Sequence, residues 1–443
     1  MIPNSSRRSA LPQAVLLVCL AMSCPTLLTA GELPPAHPPA GPGPTVRRLT
    51  LEEARQLALT NNKALALGRL NVEQLQHATN AARKDYFPKV LGSETYFHFN
   101  HDLGSVLTLR RGRLGLLPPG TATINAAVFN QDSNFSTVFV AQPITKLIAV
   151  NALVQIARAD ELAAQAKLDK GTRDLLSGVT QAYHGLVGAK RIQTALELQV
   201  KLLEQLLSVK PVPELRVGLL EARQGLAQVR GQIQELTVQI NDLLDLPACT
   251  VLELVDPMPP DLAVRCADDA AEWAAKNNPE VREAEQSIAK AEAGLKVARM
   301  DYLPDVNIVG GYANQGFADY IQDNFSYIGI VGSYTFWDWG KRRDVKRQRQ
   351  TQIALALQNL EVTRDKVRLE ARKAYVSFEQ AREAYRLAGE MVQARKEAEK
   401  GTTGQAAVQA KAETAKAELE YMKAEITYRV AHTQLTALLC SDQ

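Results

Sequence analysis

The chain has 443 residues, of which 22% are charged and 46% hydrophobic, with a formal net charge of +3. Such a length admits two or three ordinary domains, and so small a charge excludes the broad basic footprint of a nucleic-acid binder. Long runs of alanine, leucine, glutamine, glutamate, lysine and arginine are the composition of extended helices and coiled coils.

The first thirty residues, 1–30, read as an export signal. Arg7 and Arg8 form a basic start, Leu16 to Met22 a short apolar core, and Leu28-Thr29-Ala30 a cleavage site ahead of Gly31. Ala21-Met22-Ser23-Cys24 resembles a degraded lipobox, which leaves lipidation of Cys24 open. A leader, 31–49, follows, with six prolines between Pro34 and Pro44, and is expected to be extended. No later run reaches the ~18 apolar residues of a membrane helix, so any crossing of a bilayer must use strands.

A first repeat is expected over 50–248. Thr50 and Glu53 form a capping box ahead of a short helix. Asn61-Asn62 interrupts it, a longer helix runs to Tyr86, and Pro88 ends that helix. Strands follow at about 90–100 and 134–144, joined by a long basic loop at about Asp102–Ser133. A long helix from Lys146 to Val209 then turns at Lys210-Pro211-Val212-Pro213-Glu214 and returns to about Leu246. The connector, 249–265, lies between Cys249 and Cys266, which either pair in an oxidising compartment or stay as thiols.

The second repeat, 266–440, restates the first. "NNKALALGRLNVEQLQHATNAARKDYFPKV" from Asn61 and "NNPEVREAEQSIAKAEAGLKVARMDYLPDV" from Asn277 align without a gap, 216 residues apart. Strands are expected at about 306–315 and 325–337, with Ile328, Ile330, Tyr334 and Phe336 on one face. A long helix then runs from about Gly340 to Lys400, turns at Gly401-Thr402-Thr403-Gly404 and returns to Leu439. A helix of that size is about 90 Å long, beyond any globular domain. The shorter helices before and after each strand pair together match it in length, as in a cylinder whose alternate struts are made of two pieces.

Of the 25 aromatic residues, 18 fall in 86–139 and 302–339. Long helices leave no other apolar element to cover such strands, which favours a membrane barrel with interfacial aromatic girdles over a soluble hairpin. No catalytic constellation is present, so no enzyme activity and no cofactor are expected. His98 and His101 sit three apart on an expected strand and point to opposite faces. Asp268, Asp269 and Glu272 open a helix, where acids favour the positive end. His184 and His432 read as packing or surface residues, and no metal site is expected.

With both repeats laid out, the sequence resembles the TolC-like outer-membrane efflux protein family over roughly 50–440. The resemblance rests on the doubled Asn-Asn opening, Asp85-Tyr86-Phe87-Pro88 and Asp301-Tyr302-Leu303-Pro304, "YTFWDWGKRR" from Tyr334, and the matching helix ends "INDLLDLP" from Ile240 and "LTALLC" from Leu435. The first strand exit, Pro143-Ile144-Thr145-Lys146, departs from the family's Asp-x-Gly.

The resemblance implies an α/β membrane protein built of tandem helix–strand–strand–helix repeats. It implies a homotrimer whose four strands per chain close a 12-stranded barrel in outer-membrane lipid, above a helical tunnel in the periplasm. The implied function is passive exit of small solutes from a tripartite efflux pump, with a periplasmic adaptor (membrane fusion) protein and an inner-membrane transporter as partners. Type I protein secretion is the alternative within the fold; an exported structural coiled-coil protein without a pore is the alternative outside it. Tyr86, Pro88, Tyr302 and Pro304 would mark the elbow between tunnel and barrel. The turns at Pro211, Val212, Pro213 and Glu214 and at Lys400, Gly401, Thr402, Thr403 and Gly404 would meet the adaptor. Glu390, Arg395, Glu397 and Glu399 are the expected gate charges.

Overall fold

The computed structural model describes residues 46–101, 103–110, 121–209, 212–247, 250–255, 266–318, 321–401 and 405–439. The expected signal peptide, Cys24, Cys249, Cys440, Pro211, Thr402, Thr403 and Gly404 lie outside these residues.

Strand β1 (Val46–Leu49) leads into helices α1 (Leu51–Asn61) and α2 (Lys63–Lys84). Thr50 starts α1 through a complete capping box: its hydroxyl accepts from the Glu53 N–H at 3.2 Å, and Glu53 accepts from the Thr50 N–H at 2.9 Å. The Asn62 side chain starts α2 by accepting from the N–H groups of Ala64 and Leu65. These contacts satisfy amide donors that the first turn of a helix leaves without partners. The same device recurs in the second repeat, where α5 (Ala267–Asn277) ends at Asn278 and α6 (Pro279–Met300) begins with proline in its first turn. α1 and α5 both have 11 residues and α2 and α6 both have 22.

Both second helices end in one way. Tyr86 and Phe87 donate back to Arg83 and Lys84; Tyr302 and Leu303 donate back to Arg299 and Met300. Pro88 and Pro304 then force extended backbone. Strands β2 (Lys89–His98), β5 (Asp132–Pro143), β7 (Asp305–Gln315) and β8 (Asn324–Ser333) form one antiparallel sheet in the order β2-β5-β7-β8. The central β5–β7 pairing, from Phe135↔Gln315 to Pro143↔Asn307, joins the two repeats. Gly311 permits it: a Cβ there would lie 2.7 Å from the Phe139 Cβ and 2.8 Å from the Val138 carbonyl oxygen.

Three parts of the chain depart from the sequence expectation. The stretch expected to be a loop, Asp102–Ser133, holds strands β3 (Leu103–Arg110) and β4 (Thr121–Phe129), paired as a separate hairpin. Its arginines and glycines mask a weak period of two. The strand expected over 325–337 stops at Ser333, so Tyr334 and Phe336 leave the face shared by Ile328 and Ile330. Furthermore, β1 falls inside the expected leader and pairs in parallel with β6 (Val251–Leu254), inside the connector. Strands of four residues carry too little pattern to be read.

Long helices dominate the remainder. α3 (Thr145–Val209) is followed by α4 (Pro213–Leu243), and α7 (Lys341–Lys400) by α8 (Gln405–Leu439). At 1.5 Å per residue the 65 residues of α3 span about 98 Å. α2 and α4 both pack along α3, and α6 and α8 along α7. Thus each long helix is flanked by a strut in two pieces.

Small residues let these helices approach closely. Ala54, Ala58, Ala182 and Tyr183 meet Leu186, Ile240, Leu244 and Leu252 in one core. Ala270, Phe378, Ala381, Ala431 and Leu435 form the counterpart in the second repeat. The Tyr183 hydroxyl, fully buried, shares its proton between the carbonyls of Leu49 and Val255, which stand side by side at one end of the β1–β6 ribbon. The Lys190 ammonium donates to the Leu252 carbonyl.

Candidate functional site: sheet edges, elbows, helix turns and the repeat seam

The sheet has two unpaired edges in the described chain, β2 and β8. Its faces expose Val90, Val138, Ile328 and Ile330, with Ile328 at 86% and Ile330 at 74%. β8 holds no charged residue. A free edge of this kind is a template for pairing with another strand, and an exposed apolar face suits lipid. No described helix is long and apolar enough to cross a membrane.

The elbows tie sheet to helices. Tyr86 and Pro88 stand at one α–β passage, Tyr302 and Pro304 at the other. Where β5 passes into α3, the Ile144 N–H donates to the Val306 carbonyl, the Val306 N–H donates to the Thr145 hydroxyl, and Lys146 pairs with Asp305 at 2.7 Å. Where β8 passes into α7, Trp339 and Gly340 take the left-handed conformation, with φ of 57° and 85°. Asp338 holds that turn by accepting from the N–H groups of Gly340 and Arg342. The Arg342 guanidinium donates to the Thr335 carbonyl and lies 5.0 Å from the Tyr334 ring centre. A cleft of about 900 Å³ opens between the elbows, lined by Asp85, Lys89, Lys146, Asp301, Asp338 and Arg342 among others.

At the opposite ends of the long helices lie the turns. Val212 precedes α4 without a side-chain cap and Pro213 fills its first position, with Glu214 next; Lys400 ends α7 and Gly401 caps it, donating to the Ala398 carbonyl. Two of the charges expected to gate, Glu390 and Arg395, pair within the chain, as does their neighbour Lys396. Arg395 pairs with Glu413 at 3.6 Å, Lys396 with Glu418 at 2.8 Å, and Glu390 with Arg386 one turn away. Glu397 is exposed and Glu399 half-buried. Higher on the same helix pair Tyr385 and Tyr421 stack with ring centres 5.0 Å apart, and their hydroxyls lie 2.8 Å apart. Burial, then the hydrogen bond to Tyr421, pushes the Tyr385 phenol well above its usual range.

The long helix α3 meets the second repeat along two seams, against α6 and against α8, and the α8 seam was not visible in the sequence. Arg429 is 6% exposed and pairs with Glu425, which also meets Arg191 at 3.3 Å. His184 is buried beside them with its Nδ1 unpartnered. Burial, reinforced by the positive charges of Arg429 and Arg55, pushes its imidazole down to about 4. Gly188 faces Ile426 so closely that a Cβ on it would lie 2.2 Å from two side-chain carbons. His98 lies 2.7 Å from the Asp132 carboxylate, which also accepts from the Tyr96 hydroxyl. Among the described residues no cluster of His, Cys, Asp or Glu could hold a metal. Cys266 is an exposed thiol whose sulfur accepts from the Asp269 N–H.

Comparison with known proteins agrees with this architecture. Residues 271–441 match the sequence profile of the outer membrane efflux protein family. A search of curated proteins by sequence gives no match. By structure, a membrane protein from Pseudomonas aeruginosa superposes with TM-score 0.69 and 17% identity, over 88% of this chain and 93% of that one. The open-state MtrE outer membrane channel of Neisseria gonorrhoeae gives 0.67 and 16%, over 88% of each chain. The CmeC outer membrane channel of Campylobacter jejuni gives 0.66 and 14%, over 88% of this chain and 85% of that one. At such identities these likenesses establish the fold.

Proposed function

We propose that this chain, which resembles the outer-membrane efflux protein family, is the outer-membrane exit duct of a tripartite efflux pump. The observation that carries the reading is the sheet with two open edges and exposed apolar faces. Open edges cannot stand in lipid, and four strands are too few to close, since membrane barrels need about eight or more. Three copies, each joining its β8 to the β2 of the next, close a barrel of twelve strands.

The helices then continue the barrel as a tunnel into the periplasm. Their turns, at Val212, Pro213 and Glu214 and at Lys400 and Gly401, face a periplasmic adaptor and an inner-membrane transporter. Conduction of small solutes is passive, and the energy comes from the transporter. Glu390, Arg395, Glu397 and Glu399 line the closing end as gate charges. That outer-membrane channels such as MtrE and CmeC share the fold supports this assignment.

The test is conductance of the purified protein in planar bilayers, with cross-linking in detergent. A conducting trimer is the expected result; a soluble, non-conducting monomer overturns it. Replacing Gly401 and Gly404 by bulky residues should abolish solute export in cells while the trimer still conducts. Full export by that variant moves adaptor docking elsewhere.

A further inference from the structure

The passage from β8 into α7 carries two features that channel formation does not require. The first is a set of bare aromatic rings. Phe336, Trp337 and Trp339 are 90%, 72% and 89% exposed. The two indoles pack edge to face with centres 5.8 Å apart. Trp339 is held at φ 57°, a backbone conformation that costs a bulky L residue energy and recurs where function requires it.

The second is charge of the wrong sign. Lys341, Arg342, Arg343, Lys346 and Arg347 all fall in the first two turns of α7, against one acid, Asp344. The start of a helix is its positive end and favours acids, so these residues do not serve the helix. Arg342 is used by the turn itself, on Asp338 and Thr335. Lys341 and Arg343 are exposed, and Arg343 comes no closer than 4.0 Å to its neighbour Asp344. At the corresponding start of α3, Lys146 is the one basic residue in the first two turns and pairs with Asp305. The first elbow has neither tryptophan nor unspent charge, so the feature does not belong to the passage as such.

Aromatic rings beside exposed cations are complementary to an anionic lipid: rings lodge at the boundary of headgroup and acyl chain, and cations meet the phosphate. We infer that Trp337 and Trp339, with Lys341 and Arg343, form a binding surface for anionic phospholipid headgroups in the bilayer leaflet nearest the helices. The inference rests on the channel reading, which places this elbow at the periplasmic face of the membrane.

The chain has three tryptophans. The third, Trp273, lies in α5 and donates to the Leu439 carbonyl. A Trp273→Phe protein therefore reports on the elbow alone. It would be reconstituted into phosphatidylethanolamine bilayers containing a minority of phosphatidylglycerol, with brominated acyl chains on one lipid or the other, and its conductance measured in the same membranes. Mole for mole, bromine on phosphatidylglycerol should quench the fluorescence at least about fivefold more effectively, the enrichment that either of the two basic residues alone would give. Lys341→Gln with Arg343→Gln should bring the ratio to about one, with conductance unchanged. Equal quenching by both lipids in the Trp273→Phe protein overturns the inference. So does no quenching by either in a conducting protein, which would show the rings covered by a second copy or turned to the lumen. Failure to insert or conduct overturns the channel reading, and this inference with it.

Discussion

Adding a single methyl group at Gly188 should reveal how tightly the two repeats are joined. Gly188 lies inside α3, and alanine in a helix interior is worth about 1 kcal/mol more than glycine. On propensity alone, Gly188→Ala stabilises. The structure opposes this: the new Cβ would sit 2.2 Å from Cγ1 and Cδ1 of Ile426 and 3.6 Å from its Cβ. Isoleucine in a helix has one strongly preferred χ1, so Cγ1 cannot swing aside, and overpacking costs about 1–3 kcal/mol. The clash wins or draws in the parent.

In an Ile426→Ala background both obstructing carbons are gone, and the same substitution should stabilise by about 1 kcal/mol. Gly178, on the same helix, has open space where an alanine methyl would sit, with nothing within 4 Å. It is the control and should stabilise in either background. The assay is thermal unfolding followed by helical circular dichroism in detergent, arranged as a double-mutant cycle. Stabilisation by Gly188→Ala in the parent, equal to that at Gly178, would refute the close α3–α8 seam.

Three other outcomes follow from the same geometry. Glu425→Gln removes the carboxylate from a guanidinium that is 6% exposed at Arg429, and should cost about 3 kcal/mol in the same melts, as broken buried pairs do. His184 is neutral in the fold, with its pKa lowered from 6.5 to about 4, whereas the unfolded chain takes up a proton below pH 6.5. Stability should therefore be complete above pH 6.5 and fall by about 3 kcal/mol as pH drops from 6.5 to 4; His184→Gln should flatten that slope in pH-dependent unfolding. Ile330→Arg, on the exposed face of β8, should cost about 2–4 kcal/mol near the bilayer midplane, read as lost barrel yield in membrane fractions; unchanged yield would put that face in the lumen.

What could be read in the sequence was local. Thr50, Asn62, Asn278, Pro88 and Pro304 act within a few residues of themselves, through caps and backbone exclusion: helices begin at the three caps, and the helix expected to reach Tyr86 ends at Lys84, one turn ahead of Pro88. The matched spacing of the repeats carried the sheet as well, because each proline releases the chain into a strand. The β1–β6 ribbon was not legible, since what makes a strand of Val46–Leu49 is a partner in the connector. Nor was the seam: that Gly188 must be small depends on Ile426, and that Arg429 can be buried depends on Glu425 one turn away and Arg191 on another helix. At the elbow, "FWDWGK" could be recognised as a strand exit, yet the left-handed Trp339 and the exposure of its ring follow from the Asp338 turn, a three-dimensional arrangement that residue order does not spell out.

The ribbon also closes a long stretch of chain on itself. Val46 pairs with Val251 and Leu49 with Leu254, so the opening segment waits for residues roughly 200 positions later before it can bond, a loop whose closure is slow. Tyr183 lies within that interval, and its hydroxyl bonds to carbonyls from both sides of the closure. Strand β1, the tyrosine and strand β6 thus make one knot, which ties the start of the first repeat to the connector that follows it. The first repeat is closed on itself at that knot, while β5 leaves it to pair with β7 of the second.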